Sequence, residues 1–200
     1  MRIALIIISL LVSSIVQAEV NLVLQERLLA MERSDQSIRK EIINNGTGQR
    51  PKQFLDKAKQ IDWENTQELK QIIFKHGWPT AELVGKTGVS AAFLIVQHSS
   101  DTDFKLSLLP RLKESYKNDD GISGQQVALM TDKVLISKGK KQTYGTQYDV
   151  KEQRIIFKPI ENAENINQLR AEMKMPPLDY YKRILEELHG IKDHPDIELN

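Results

Sequence analysis

The 200-residue chain contains no cysteine. That absence excludes a disulfide framework, thiol catalysis and any thiolate metal site, so the fold must rely on its core. Aromatic residues are few, 6% of the total, and neither sign of charge dominates, with 28 Lys and Arg against 27 Asp and Glu. A balance this close supplies no field to draw nucleic acid or an anionic membrane. The densest basic run, Lys138-Gly139-Lys140-Lys141, is short and falls at an expected turn, where it reads as a solvated corner. Familiar catalytic signatures are missing as well. There is no HExxH and no phosphate-binding glycine loop. Gly88-Val89-Ser90-Ala91-Ala92 lacks the last glycine of a nucleophile elbow and follows no expected strand. Asn45-Gly46-Thr47 has the form of a glycosylation sequon but reads as a turn.

Long hydrophobic runs are also scarce. One opens the chain: Arg2 precedes an apolar stretch from Ile3 to Val12 that fades by Val16, and Val16-Gln17-Ala18 offers small residues at cleavage spacing. This pattern predicts a signal peptide over residues 1–18. Its apolar core of about 14 residues is shorter than the roughly 20 that span a bilayer. The expectation is therefore an exported protein, periplasmic or secreted, with no stable membrane insertion after cleavage. Residues 19–200 are enough for one domain with a sizeable core.

The other apolar run is Ala91-Ala92-Phe93-Leu94-Ile95-Val96, followed by Gln97-His98-Ser99-Ser100-Asp101. It predicts a central helix over about 89–100, buried nearly all round and ending in polar groups. Before it, Val20, Leu24, Leu28, Met31, Ile38 and Ile42 mark one stripe of an amphipathic helix over 20–43. A second helix is expected from an N-cap at Asp62 to His76, stopped by Gly77 and Pro79. Thr80 caps a short turn to Val84, and 85–88 reads as loop. A long helix follows from Asp101 to Asn118, kinked or divided at Pro110. Ser123 and Gln126 have capping-box spacing for a helix to Ser137. Strand alternation over Lys141–Tyr148 and Arg154–Phe157 predicts a β-hairpin. Helices over 163–174 and 178–189 close the chain, whose last dozen residues read as frayed. The fold class expected is α+β: a mostly helical single domain with one β-hairpin packed on the helical core.

Candidate functional groups are polar residues placed where apolar ones belong. Asp35 falls inside the first apolar stripe, with Arg39 one turn on to pair with it. A carboxylate there is either half of a structural pair or a group held in a cleft for acid–base work. His76 continues the stripe of Leu69 and Ile73 at a helix C-terminus, where the helix dipole favours a histidine, and Trp78 beside it is core or pocket wall. His98 shares a face with Ala91 and Leu94, while Gln97 leaves by the face of Val89 and Phe93. Asp101, three residues on, is an expected partner of His98. His98, Asp101 and His76 match no metal spacing, so no metal site or cofactor is assigned. Gln142-Thr143-Tyr144-Gly145-Thr146-Gln147 sets donors and acceptors along an expected strand weakened by Gly145. Asp132 faces the same region from the edge of its helix stripe.

Together, Asp35-Gln36-x-x-Arg39, His76-Gly77-Trp78-Pro79-Thr80, Val84-Gly85, Val96-Gln97-His98, Leu109-Pro110, Thr131-Asp132-Lys133 and Gln142-x-Tyr144-Gly145-Thr146-Gln147 form a pattern over about 35–180. It resembles a bacterial family classed only as a domain of unknown function. The resemblance implies that Asp35, Arg39, His76, Trp78, Gln97, His98, Asp132, Gln142, Tyr144 and Gln147 are signature positions, and it carries no activity. Two positions depart from the family's habit: Ser99-Ser100-Asp101 stands for Ala-Asp after the histidine, and Lys133 stands for an arginine.

Three readings follow. In the first, an exported soluble module binds a small polar ligand or a partner, not nucleic acid, through Arg39, Trp78, Gln97, Gln142, Tyr144 and Gln147. In the second, a hydrolase uses His98 or His76 as general base, oriented by Asp101 or Asp132, with Asp35 as a further catalytic candidate. In the third, the polar groups form a purely structural network. One site built from all of them requires Asp35, His76, His98, Asp132 and Gln147 to converge on one pocket.

Overall fold

A computed structural model describes residues 19–44 and 52–191. The expected leader, the Asn45–Gly48 turn and the chain end lie outside them. Among the described residues, seven α-helices precede and follow one antiparallel hairpin: α1 (Leu22–Asn44), α2 (Lys52–His76), α3 (Ala81–His98), α4 (Thr102–Lys117), α5 (Gly124–Ser137), β1 (Tyr148–Lys151), β2 (Arg154–Phe157), α6 (Ile166–Glu172) and α7 (Leu178–Leu188). The architecture is the expected mostly helical α+β fold. No helix among the described residues is long and apolar enough to cross a membrane.

Helix α3 is the axis. Val84, Val89, Ala91, Ala92, Phe93, Ile95 and Val96 are all buried on it, so apolar side chains leave it in every direction. The stripe of α1, with Leu24, Leu28 and Met31, and Leu69 and Ile72 of α2 cover one side; Leu108 and Leu112 of α4 with Val127 and Met130 of α5 complete this core. A second apolar cluster gathers Ile155, Phe157, Ile160, Ile166, Leu178 and Leu185 from the hairpin, α6 and α7. The two meet where α6 ends on the start of α5. A Cβ on Gly124 would lie 2.0 Å from the Met173 carbonyl oxygen, so only glycine lets that backbone approach so closely.

Local chemistry explains the boundaries. Thr80 caps α3 by accepting from the Leu83 amide, and Gly85 (φ 68°, ψ 161°) bends the helix after one turn. The expected loop over 85–88 is thus a single non-helical residue. Asp101 caps α4 by accepting from the Phe104 amide. Ser123 and Gln126 form the expected capping box on α5.

Three expectations need correction. Helix α2 begins at Lys52 rather than at Asp62, which sits mid-helix. Pro110 does not divide α4; the carbonyl it leaves without an amide partner belongs to Leu106, on the exposed face of the helix. Finally, 141–147 is not a strand; only Tyr148 of that stretch enters β1. The amides of Thr143, Tyr144 and Thr146 turn to a carboxylate, and only Gln142 makes a bridge, an isolated parallel one to Ile160. The hairpin is short, Tyr148 pairing with Phe157 and Lys151 with Arg154, and it closes through Glu152 and Gln153, both at positive φ.

Candidate functional site

Three helices bring their polar residues together around Asp35. The α1 stripe that buries Leu28 and Met31 also buries Asp35, which is 1% exposed. Arg39 lies one turn along α1. Asp62 projects from the middle of α2, and His98 closes the last turn of α3. The His98 Nδ1 lies 2.8 Å from Asp35 Oδ1 and 2.9 Å from Oδ2. Arg39 donates from Nε to both oxygens of Asp35, at 3.1 and 3.2 Å, and from Nη2 to Asp35 Oδ1 at 3.0 Å. The same Nη2 donates to Asp62 Oδ1 at 2.6 Å, and Gln36 Nε2 donates to Asp35 Oδ2 at 2.8 Å.

This geometry decides the histidine's tautomer. Arg39 Nε also lies 3.0 Å from His98 Nδ1. One ring nitrogen does not both accept from Arg39 and donate to Asp35. An unprotonated Nδ1 would set its lone pair against a carboxylate at 2.8 Å, whereas Nδ1–H donating to Asp35 is favourable and leaves the Arg39 Nε–H to the same carboxylate. Nδ1 therefore carries the proton. Nε2 has no partner among the described residues, and the side chain keeps 18% exposure.

Burial pushes the Asp35 carboxyl up, but hydrogen bonds from His98 and Arg39, the His98 charge and Gln36 outweigh it and hold it at about 2. Asp62 moves the other way, raised by its burial against the opposing pull of Arg39. Asp35, Asp62 and His98 each offer a ligand atom within 4.8 Å of the others, the spacing of a cation site. Arg39 is hydrogen-bonded to both carboxylates and is itself the cation there, so a metal ion would have to displace it.

Two lysines border the cluster. Lys133 of α5 donates from Nζ to the Gln97 carbonyl oxygen at 2.7 Å. Lys105 of α4 is 5% exposed, and its ammonium makes no hydrogen bond to a described residue. Burial first, and then the charge of Lys133, lower the Lys105 ammonium to about 8, against the pull of Asp62 and Asp101.

The other sequence candidates are elsewhere. Asp132, fully buried, accepts from the backbone amides of Thr143, Tyr144 and Thr146 and from the Thr146 hydroxyl, at 2.8 to 3.2 Å. Burial raises its carboxyl, and these bonds oppose the rise. Gln142, equally buried, donates to the Gln147 and Lys158 carbonyls and accepts from the Gln147 amide. Tyr144 gives its carbonyl to Arg170 Nη1 at 2.7 Å. Asp132, Gln142, Tyr144 and Gln147 thus form a knot that holds the 142–147 segment. It does not open on His98.

His76 is exposed at the end of α2, fourteen residues beyond Asp62 and so about 21 Å away along the helix. Trp78 is core, its indole N–H without a partner. Gln97 turns away from His98 into a groove of about 420 Å³ between Glu32, Phe93 and Gln126. Asp101, expected beside His98, binds Lys70 Nζ at 2.6 Å and caps α4. A single site uniting Asp35, His76, His98, Asp132 and Gln147 is therefore not what the fold builds; of these, Asp35 and His98 meet.

The span from the first residue of α1 to just past α7 has a counterpart. The sequence model of a family of unknown function, DUF6624, matches residues 22–194. The chain belongs to that family. The match takes in every described helix and the hairpin, a longer stretch than the 35–180 of the sequence pattern. No curated protein and no solved structure matches the chain.

Sequence reasoning missed Asp62, Lys105 and Lys133 as neighbours of Asp35 and His98. One signal was present for Lys105. It lies three residues before Leu108 and seven before Leu112, on the buried stripe of α4, as Asp35 lies on the stripe of α1.

Proposed function

We propose that this protein is a hydrolase of the acid–base type, with His98 as general base and Asp35 as the residue that positions it. One observation carries the reading: His98 is pinned through Nδ1 at 2.8 Å to a carboxylate that is 1% exposed, while Nε2 has no partner among the described residues. The second reading made from sequence survives with a different partner, Asp35 in place of Asp101 or Asp132.

The chemistry follows from the geometry. Neutral His98 presents a lone pair at Nε2. It takes a proton from water as the water oxygen attacks an electrophilic carbon or phosphorus, and the imidazolium returns that proton to the departing group. Asp35 stabilises the imidazolium through the Nδ1–H bond, and Arg39, braced by Asp62, keeps the carboxylate ionised and oriented. Export supports a small polar substrate met outside the cytoplasm, and we infer it from Arg2, the run Ile3–Val12 and Val16-Gln17-Ala18.

Purified protein should hydrolyse some member of a panel of chromogenic carboxylic and phosphoric esters. His98→Gln should lower turnover by about 100- to 10,000-fold, the usual share of a general base. Asp35→Asn should lower kcat with little change in KM. No turnover of any ester, or turnover unchanged in His98→Gln, would show that the cluster is structural.

A further inference from the structure

We infer that Lys105 and Lys133 form a receptor for an oxyanion, the carboxylate or phosphate group of the molecule on which His98 acts. The substrate class rests on the acid–base reading; the anion receptor is tested separately from it.

The positive groups around His98 do not all have counter-ions. Asp35 and Asp62 share Arg39. Asp101 is the natural partner of Lys105, one turn before it on α4, but its carboxylate is taken by Lys70 and by the Phe104 amide. Every acid that Lys105 senses is thus bound to another cation. Lys133 spends one N–H on a neutral carbonyl, that of Gln97, the residue next to His98. Its remaining ammonium hydrogens have no acceptor among the described residues. Arg39 Nη1 likewise bonds no described residue.

Lys105 is the sharper observation. A lysine usually carries its ammonium out to water along a buried stem. This one is 5% exposed and its ammonium makes no hydrogen bond to a described residue. An ammonium held this way is costly unless something charged completes it. Helix α4 has every opportunity to point it outward, since Leu106 and Ser107 beside it are exposed. It is instead kept on the buried stripe of Leu108 and Leu112, where the charge of Lys133 on α5 is felt. Two like charges held near each other destabilise the empty site, and an anion between them removes both penalties. The same anion beside Gln97 would lie next to His98, where a substrate's anionic group would be held while Nε2 works on its neighbour.

Isothermal titration of the full chain with inorganic phosphate and, separately, with acetate tests the receptor. At pH 7 at least one anion should bind wild type, and phosphate against acetate tells which oxyanion is preferred. His98→Gln should bind as wild type does, so loss of hydrolysis there is separable from loss of the anion site. Lys105→Met should weaken binding at least tenfold, with Lys105→Arg retaining most of it. Wild-type binding should also fade between pH 8 and 10 as Lys105 loses its proton beside Lys133, Asp62, Asp101 and Arg39. Should Lys105→Met not fold, nitrogen-detected NMR of the lysine ammonium groups decides instead: the Lys105 titration must move up on adding the anion. The receptor is refuted if neither anion binds, or if Lys105→Met binds as tightly as wild type.

Discussion

Replacing Lys105 by methionine should stabilise the folded protein at neutral pH. Methionine fills nearly the same volume on the α4 stripe and carries no charge. The Lys105 ammonium falls from 10.5 to about 8 through burial and the Lys133 charge, and a gap of that size corresponds to about 3 kcal/mol. The sign follows from proton binding. Between pH 8 and 10.5 the unfolded chain holds a proton at Lys105 that the folded chain has released, so stability rises with pH across that window. Below pH 8 both states are protonated and the penalty is present in full. Urea unfolding of wild type and Lys105→Met, followed by circular dichroism at pH 7 and at pH 10.5, separates this from other titrations. The variant should be more stable by about 2–3 kcal/mol at pH 7, with the difference shrinking toward zero at pH 10.5. A variant less stable than wild type at pH 7 would refute the reasoning, since it would mean that Lys105 has a counter-ion.

Asp35 should act at the opposite end of the scale. Its carboxyl is lowered from 3.8 to about 2, so it contributes about 2 kcal/mol above pH 4 that is lost as pH falls through 2; acid titration of Asp35→Asn should lack that decline. Asp132→Ala should cost at least 3 kcal/mol, because three backbone amides of the 143–146 segment lose a buried acceptor at once, and a loss below about 1 kcal/mol would contradict its role as the segment's anchor. Gly124→Ala should prevent α5 from docking on Met173, whose carbonyl oxygen lies 2.0 Å from the new Cβ; thermal unfolding should show a large drop in Tm.

Much of this was legible in sequence wherever a local rule acts alone. The α1 stripe named Leu24, Leu28, Met31 and Ile38 as its buried face and exposed Asp35 as the intruder. The caps at Thr80, Asp101 and Ser123 follow from single side chains and the amides they reach. Sequence failed where a residue's partner is distant. Asp62 has the chemistry of an N-cap, and only Arg39, 23 residues earlier and one helix away, reveals it as a mid-helix counter-ion. Residues 141–147 alternate like a strand, yet the amides of Thr143, Tyr144, Thr146 and Gln147 are claimed by Asp132 and Gln142, so side-chain acceptors replace the ladder there. Gln147 and His98 belong to the same sequence pattern, and nothing in spacing shows that they serve different places.

The direct test of the Asp35–His98 centre is the protonation state of the His98 ring. Long-range proton–nitrogen NMR of the histidines at neutral pH, assigned with His98→Gln, distinguishes a protonated from an unprotonated ring nitrogen. Bonding to Asp35 requires Nδ1 to carry a proton and action as a general base requires Nε2 to be bare, with the preference lost in Asp35→Asn. A neutral His98 ring found with its proton on Nε2 would contradict the account.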